Sequence, residues 1–181
     1  MEFLFYGIKN YKPVALSGRE SIRKAYGEAR AFMLGQQLSS FWTDWSDNKG
    51  TLWESAPVIL EFGDFSHELC WMKDEDLQIS TNTIDINEGF DLYNFGQPSH
   101  WENNILPEFS PFVGKILRSV DLLEAEGQIT SQTGWINRFW VPHGIIFNFE
   151  DATFCIYNAF DSNRITTSIP TGDEYRRINI W

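Results

Sequence analysis

The feature that most constrains the fold is a strand, turn and strand pattern that occurs twice. VILEFGDFS (58–66) aligns without gaps to IIFNFEDAT (145–153). In each copy a Cys-containing strand, an acidic turn and a third polar strand follow, the last being LQIST (77–81) and RITTS (164–168). Alternating runs of this length, broken at Asp-containing turns, predict antiparallel hairpins. Two origins stay open, an internal duplication or the general likeness of short hairpins.

The two copies predict β meanders at about 52–81 and 112–170. In the region before them, apolar residues recur with the period of a helix. Ser17 and Glu20 match a capping box. Apolar residues then recur at helical spacing, so we predict one main helix from about Gly18 to about Phe41. We interpret 85–99 as a loop and allow a short helix in 101–112. The prediction is an α+β fold, an antiparallel β-rich single domain spanning 1–181.

The charge of the chain is concentrated in one segment. Residues 54–108 contain twelve acids and one base, Lys73, which gives −11, the formal charge of the whole protein. The other 126 residues balance, with 13 acids and 13 bases. A field of one sign over one region repels anions and attracts a cationic partner. The predicted strands are rich in aromatic residues, but Glu and Asp stand beside these rings. Such strands would repel nucleic-acid phosphates, so we predict no direct nucleic-acid binding.

Sequence patterns typical of catalysis are absent from the chain. It contains no GxSxG elbow, no GxGxxG and no GxxxxGK[ST]. His67, His100 and His143 form no HxH or HExxH pair. We interpret Cys70 and Cys155 as buried thiols rather than as metal ligands or a disulfide framework. We therefore predict no catalytic residue, no metal and no cofactor.

One alternative class remains open, an acid-rich carbohydrate- or metal-binding domain or a hydrolase. Paired carboxylates such as Glu61 and Asp64 are compatible with general acid–base chemistry. The run from Asp85 to Asp91 has some character of a calcium loop, but its order does not match an EF-hand. Tryptophans suit a sugar platform, although they are more often core residues.

The sequence also predicts where in the cell the protein is located. MEFLFYGIKNYK (1–12) has a short apolar stretch without a basic n-region or a small-residue cleavage site, so we expect no signal peptide. No apolar run is long enough to span a membrane as a helix. We expect a cytoplasmic protein that does not bind membranes. No pattern in the chain indicates its oligomeric state.

In its small size, acidic charge and lack of catalytic motifs, the chain resembles the immunity proteins of bacterial contact-dependent growth inhibition and related polymorphic toxin systems. The resemblance rests on the small acidic chain without catalytic motifs, the paired strand–turn–strand pattern and the segment FVGKILRSVDLL (112–123). It implies a non-catalytic protein that binds and neutralises a cognate toxin, often a nuclease (RNase, tRNase or DNase) with a basic cleft. Clustered carboxylates would then imitate phosphate charge and cover that cleft.

Under this hypothesis the toxin-binding residues lie in the acidic segment. A charged patch that steers association needs a desolvated aromatic centre to bind tightly. An alternative is that the run is a solvated loop face without a partner. The predicted charged contacts are Asp74, Glu75, Asp76, Asp85, Glu88 and Asp91, and the predicted aromatic anchors are Trp71, Phe90, Tyr93 and Trp101.

Overall fold

The computed structural model describes residues 5–52, 54–72, 76–131, 134–160 and 162–181, and the side chain of Asn94 lies outside this description. One α-helix, α1, spans Gly18–Met33. Short 3-10 helices occupy Phe5–Gly7, Leu92–Asn94 and Ser110–Phe112. The strands are β1 Val14–Leu16, β2 Ser40–Ser46, β3 Thr51–Leu52, β4 Val58–Phe62, β5 Phe65–Trp71, β6 Leu77–Thr81, β7 Phe90–Asp91, β8 Pro98–Asn103, β9 Leu117–Thr130, β10 Ile136–Phe149, β11 Thr153–Asn158, β12 Asn163–Thr166 and β13 Tyr175–Asn179.

The strands form two antiparallel sheets. Sheet A has the order β1-β6-β5-β4-β2-β8-β7, with β3 paired to β2. Sheet B has the order β12-β11-β10-β9-β13. With a single α-helix among the described residues, this arrangement confirms the predicted α+β, antiparallel β-rich fold class.

Each sheet contains one of the two predicted meanders. In sheet A, β4 and β5 pair around a two-residue turn, with Phe62 opposite Phe65. Gly63 occupies that turn with a positive φ, a backbone conformation that costs glycine little. In sheet B, β10 and β11 pair with Asn148 opposite Thr153, and β12 follows. The strand pattern is therefore confirmed in both copies, while duplication as its origin stays a prediction.

The predicted helix boundary at Phe41 is wrong. Helix α1 ends at Met33, and Gly35 then takes φ +78°, which breaks the helical path. The Gly35 N–H donates to the carbonyl of Leu117, so the chain turns toward sheet B and enters β2. Ser17 is the N-cap as predicted, but its side chain makes no capping bond and contacts the Asp76 carboxylate instead.

Two further segments differ from their predictions. The predicted loop 85–99 contains β7, a 3-10 turn and the first residues of β8. The short helix allowed in 101–112 is replaced by the rest of β8 and a single 3-10 turn. Pro107 and Pro111 interrupt the stretch, because proline cannot continue a helix from within it.

The larger apolar core joins α1 to both sheets. Tyr26 of α1, Trp71 of sheet A and Phe147 of sheet B are all buried in it. The Trp71 indole N–H donates to the carbonyl of Ile156 in sheet B at 2.9 Å. Asn163, at the start of β12, also links the sheets, because its side chain accepts from the backbone N–H of Trp71 at 2.7 Å.

A second core covers the opposite face of sheet A. Side chains alternate along a strand, so Cys70 points away from Trp71 and contributes to this second core. Tyr6 and Tyr11 from the start of the chain lie over it, together with Phe90 and Trp101. The central strands β4 and β5 are therefore buried on both faces. Cys70 and Cys155 are free, buried thiols, as predicted.

A buried ion pair fastens α1 to sheet B. Glu124 on β9 is 1% exposed and accepts from Arg19 of α1 through two nitrogens at 2.8 Å. Arg176 on β13 donates to the same carboxylate at 2.7 Å. Burial pushes the pKa of Glu124 upward, but the two guanidinium groups outweigh it and hold that pKa below its usual value.

We expect Glu124→Gln to lower the free energy of unfolding by about 2 kcal/mol at pH 7, because charge-assisted hydrogen bonds are lost while both arginines remain partly hydrated. Since the folded-state pKa is depressed, this contribution exists above the unfolded value and is lost as pH falls through the folded one. Urea unfolding at pH 7 and pH 3 measures both effects. The control is Glu126→Gln, whose partner Arg138 lies 3.4 Å away at the surface. Equal losses in the two variants would contradict the assignment.

Candidate functional site

An open groove of about 470 Å³ lies at the β7–β8 end of sheet A, and all of its lining residues except Asp47 belong to the segment 54–108 that carries the net charge. Asp91 ends β7, and Asp47 follows β2, which is the other neighbour of β8. Both acidic side chains therefore converge on one face. The lining residues are Asp47, Gly89, Phe90, Asp91, Gly96, Pro98, Ser99 and His100.

Asp91 shapes one wall of the groove. Its carboxylate accepts from the backbone N–H groups of Gly96 at 3.0 Å and Gln97 at 2.7 Å. The Leu92 N–H donates to the carbonyl of Gln97, which closes the same loop. The side chain thus holds the 92–97 loop in place as well as contributing charge.

His100 forms the other wall and lies between two carboxylates. Its Nδ1 is 2.6 Å from Asp47 and its Nε2 is 2.9 Å from Glu102. The hydrogen bond with Glu102, and then that with Asp47, raises the pKa of His100. Each ring nitrogen lies within hydrogen-bond distance of a carboxylate, so the protonated ring can donate to both acids at once. The group is suited to presenting charge, and protonation of His100 on acidification reduces the negative charge of the groove.

Asp85 and Glu88 lie in the turn before β7. Asp85 accepts from the backbone N–H of Asn87 at 2.9 Å. Glu88 forms a salt bridge with Lys9 at 2.7 Å. Local bonds therefore order both side chains, and Lys9 compensates part of the charge that Glu88 was predicted to present.

The exposed aromatic surface beside the groove differs from the prediction. Tyr93 is 39% exposed, as an anchor must be, and Phe95 in the same loop is 75% exposed. The two rings are 6.1 Å apart, and Tyr93 also contacts Tyr6 at 5.3 Å. Sequence reasoning missed Phe95. Its position between Asn94 and Gly96, two turn-forming residues, was the available signal.

The other three predicted anchors are core residues, and their prediction as surface contacts is wrong. Trp71 is fully buried between the sheets. Phe90 and Trp101 pack against each other at 4.9 Å in the second core, beneath the groove. Phe90 is 8% exposed and still lines the groove from the core side, whereas Trp101 does not line it.

The remaining predicted charges do not join this face. Asp76 lies just before β6, which four strands of sheet A separate from β7. It contacts Ser17 at the start of α1. Asp74 and Glu75 lie outside the described residues.

Buried polar atoms without hydrogen-bond partners among the described residues lie on the sheet beneath the groove. Asp44 pairs across β2 and β8 with Trp101, and Ser46 pairs with Ser99, so all four share one face. By hydrogen-bond geometry, both Asp44 oxygens, both hydroxyls and the Trp101 indole N–H lack partners. Burial raises the pKa of the Asp44 carboxyl to about 7, and the opposing effect of the nearby Ser99 hydroxyl is smaller. This strip is polar but poorly satisfied, which is costly for a folded protein.

Comparison of the chain with protein-family models, with curated proteins and with solved structures finds no match. Within the described ranges, no group of three or more His, Cys, Asp or Glu side chains is arranged to hold a metal ion. No helix in those ranges has the length and apolar character needed to cross a bilayer.

Proposed function

We propose that this chain is an immunity protein that binds a basic toxin domain, a cationic nuclease, and blocks its active cleft. The observation that carries the proposal is the groove lined by Asp47, Asp91 and His100, with Glu102 bonded to His100 and with Tyr93 and Phe95 exposed in the adjoining 92–97 loop. We place the inhibition in the cytoplasm, where a nuclease toxin would act.

Charge supports the first step of binding. The segment 54–108 carries −11, and several of its carboxylates are held in fixed positions by backbone or His100 contacts. Fixed acids next to one another steer a basic partner and raise its association rate, by up to about a thousandfold at low salt. Phosphate-binding clefts of nucleases present the complementary charge.

The aromatic loop supports the second step. Tight complexes need a few large side chains that lose all their water on binding, surrounded by polar contacts. Phe95 lies in a loop that the Asp91 carboxylate fixes, so little conformational entropy is lost when it docks. This loop is the predicted centre of the interface.

The test uses the basic C-terminal domain of a secreted protein encoded beside this chain, with nuclease activity as the readout. We expect stoichiometric inhibition, with affinity falling steeply between low and high salt. Phe95→Ala is expected to weaken binding by about thirtyfold or more, as for a hot-spot aromatic. The double variant Asp47→Lys/Glu102→Lys is expected to slow association by about tenfold or more.

Two matched controls separate the site from general effects. Asp64→Lys/Glu108→Lys makes the same change in net charge at exposed acids outside the groove, and Phe160→Ala removes a fully exposed ring on sheet B's side of the chain. Phe160→Ala should inhibit as the parent does, and the charge control should slow association less than the groove variant does. Undiminished nuclease activity with excess protein, or equal losses in site and control variants, would overturn the proposal.

A further inference from the structure

A second groove, of about 530 Å³, lies between α1 and the β1-β6-β5 end of sheet A. This is the end opposite β7 and the acidic groove. Its volume is that of a small-molecule site rather than of a packing defect. Apolar side chains dominate the lining, among them Leu16, Ala25, Ala29, Phe32, Phe65 and Ile79.

His67 gives the groove a buried polar group. It lines the groove from β5, is fully buried, and has its Nε2 2.9 Å from the Tyr26 hydroxyl. Burial lowers the pKa of His67 to about 4, so the ring is neutral and only one nitrogen carries a proton. A phenol hydroxyl is a better donor than a neutral imidazole N–H, and an imidazole nitrogen is a better acceptor than a phenol oxygen, so we assign the Tyr26 hydroxyl as donor to Nε2 and the ring proton to Nδ1. That Nδ1 has no partner in the part of the chain that the structure describes. An unpaired donor in an apolar groove favours a ligand that brings an acceptor.

The mouth of the groove favours flat, uncharged molecules. Phe32, which is 55% exposed, stacks on Phe65 with ring centres 5.1 Å apart and planes within 9° of parallel. Lys24 and Glu28 also line the groove and carry opposite charges. They give no net preference for an ionic ligand, and the apolar interior penalises a charged one.

We propose that this groove binds an uncharged aromatic compound that carries one hydrogen-bond acceptor, with the aromatic body between α1 and β1, β5 and β6 and the acceptor on Nδ1 of His67. The groove is independent of the toxin-binding face, and the two sites are tested by different variants.

Three probes of nearly one shape test the chemistry: 1-acetylnaphthalene, 1-ethylnaphthalene and 1-naphthoate, followed by calorimetry or ligand-detected NMR. Binding of the acetyl compound is expected to be roughly three- to tenfold tighter than that of the ethyl compound, since only the former satisfies the His67 donor. The carboxylate is expected to be the weakest of the three. Equal affinity for the acetyl and ethyl compounds would overturn the role of His67.

Variants on α1 test the location. Ala25→Trp adds an indole at the partly exposed groove wall and is expected to reduce affinity at least tenfold. Ala31→Trp makes the same change at an exposed position that does not line the groove, and should bind as the parent does. If Ala25→Trp fails to fold, Phe32→Ala at the exposed mouth replaces it. No binding of any probe at millimolar concentration, or no loss in the groove variants, would overturn the proposal.

Discussion

Replacing Asp44 by Asn is expected to stabilise the protein by about 3 kcal/mol at pH 8 and by less than about 1 kcal/mol at pH 4.5. The Asp44 side chain is 1% exposed, and burial raises its pKa to about 7. The folded state therefore holds this proton more tightly than the unfolded state does. Stability falls as pH rises from about 4 to about 7, because the unfolded chain ionises freely and the buried carboxyl does not. Asn has nearly the same shape and cannot ionise.

The measurement is urea unfolding of parent and variant at several pH values, compared as a difference. The difference is needed because His67 acts in the opposite direction: burial lowers its pKa to about 4, so its contribution to stability is lost as pH falls. His67 is present in both proteins and cancels. Asp64→Asn, in the exposed β4–β5 turn, is the control and should show no such pH-dependent gain. A variant destabilised equally at both pH values would mean that the Asp44 carboxylate is satisfied when ionised.

Asn163→Leu is expected to destabilise the protein by about 4 kcal/mol, since the buried backbone groups of Trp71 and Ala56 lose their side-chain partner at a cost of roughly 1–3 kcal/mol each. The Asn163 side chain is 3% exposed and accepts from the Trp71 N–H. Its amide also donates to the carbonyls of Ala56 at 2.7 Å and Glu54 at 3.2 Å. One side chain of sheet B thus satisfies three backbone groups on sheet A's side of the molecule.

Chemical denaturation monitored by tryptophan fluorescence measures this loss. Asn137→Leu makes the same exchange on the exposed part of β10, without buried partners. This control should change stability by less than about 0.5 kcal/mol, as is usual for surface positions. Asn163→Asp keeps the acceptor for Trp71 but removes the amide donor, so it should also be destabilised. A loss below about 1 kcal/mol in Asn163→Leu would show that water replaces the amide.

The strands were predicted well because alternating apolar residues and turn residues, which indicate a strand and its end, lie within a few positions of one another. LQIST forms β6 at its predicted bounds, and the Gly63-Asp64 turn joins β4 to β5. The helix end was missed because apolar spacing continues past Met33, while the left-handed conformation of Gly35 depends on its bond to Leu117, far along the chain.

The candidate site was predicted only in part, for a physical reason. Charge density located the acidic segment. Asp91 lines the groove, and Tyr93 is exposed in the loop that follows it. The anchors that are buried in the structure were predicted to lie on a solvent-exposed face of the sheet. Trp71 instead faces sheet B, and the segment containing Tyr6 and Tyr11 covers the other face of sheet A. Asp47, His100 and Phe95 join the site through β2–β8 pairing and a loop fixed by Asp91, which no local pattern contains.

The pairing of the strands also sets an order of assembly. In sheet B, β9 and β10 are neighbours in sequence and form one long hairpin, a contact that closes in about 1–10 μs. In sheet A, Val14 pairs with Ile79 and Trp42 with Asn103, so large loops must close before these bonds form. We expect the β9–β10 hairpin to nucleate folding and sheet A to complete it slowly. Because every strand of sheet A precedes β9 in the sequence, a ribosome releases sheet A first. The face of sheet A that contributes to the larger core therefore lacks sheet B as a partner until β9 and β10 have been synthesised.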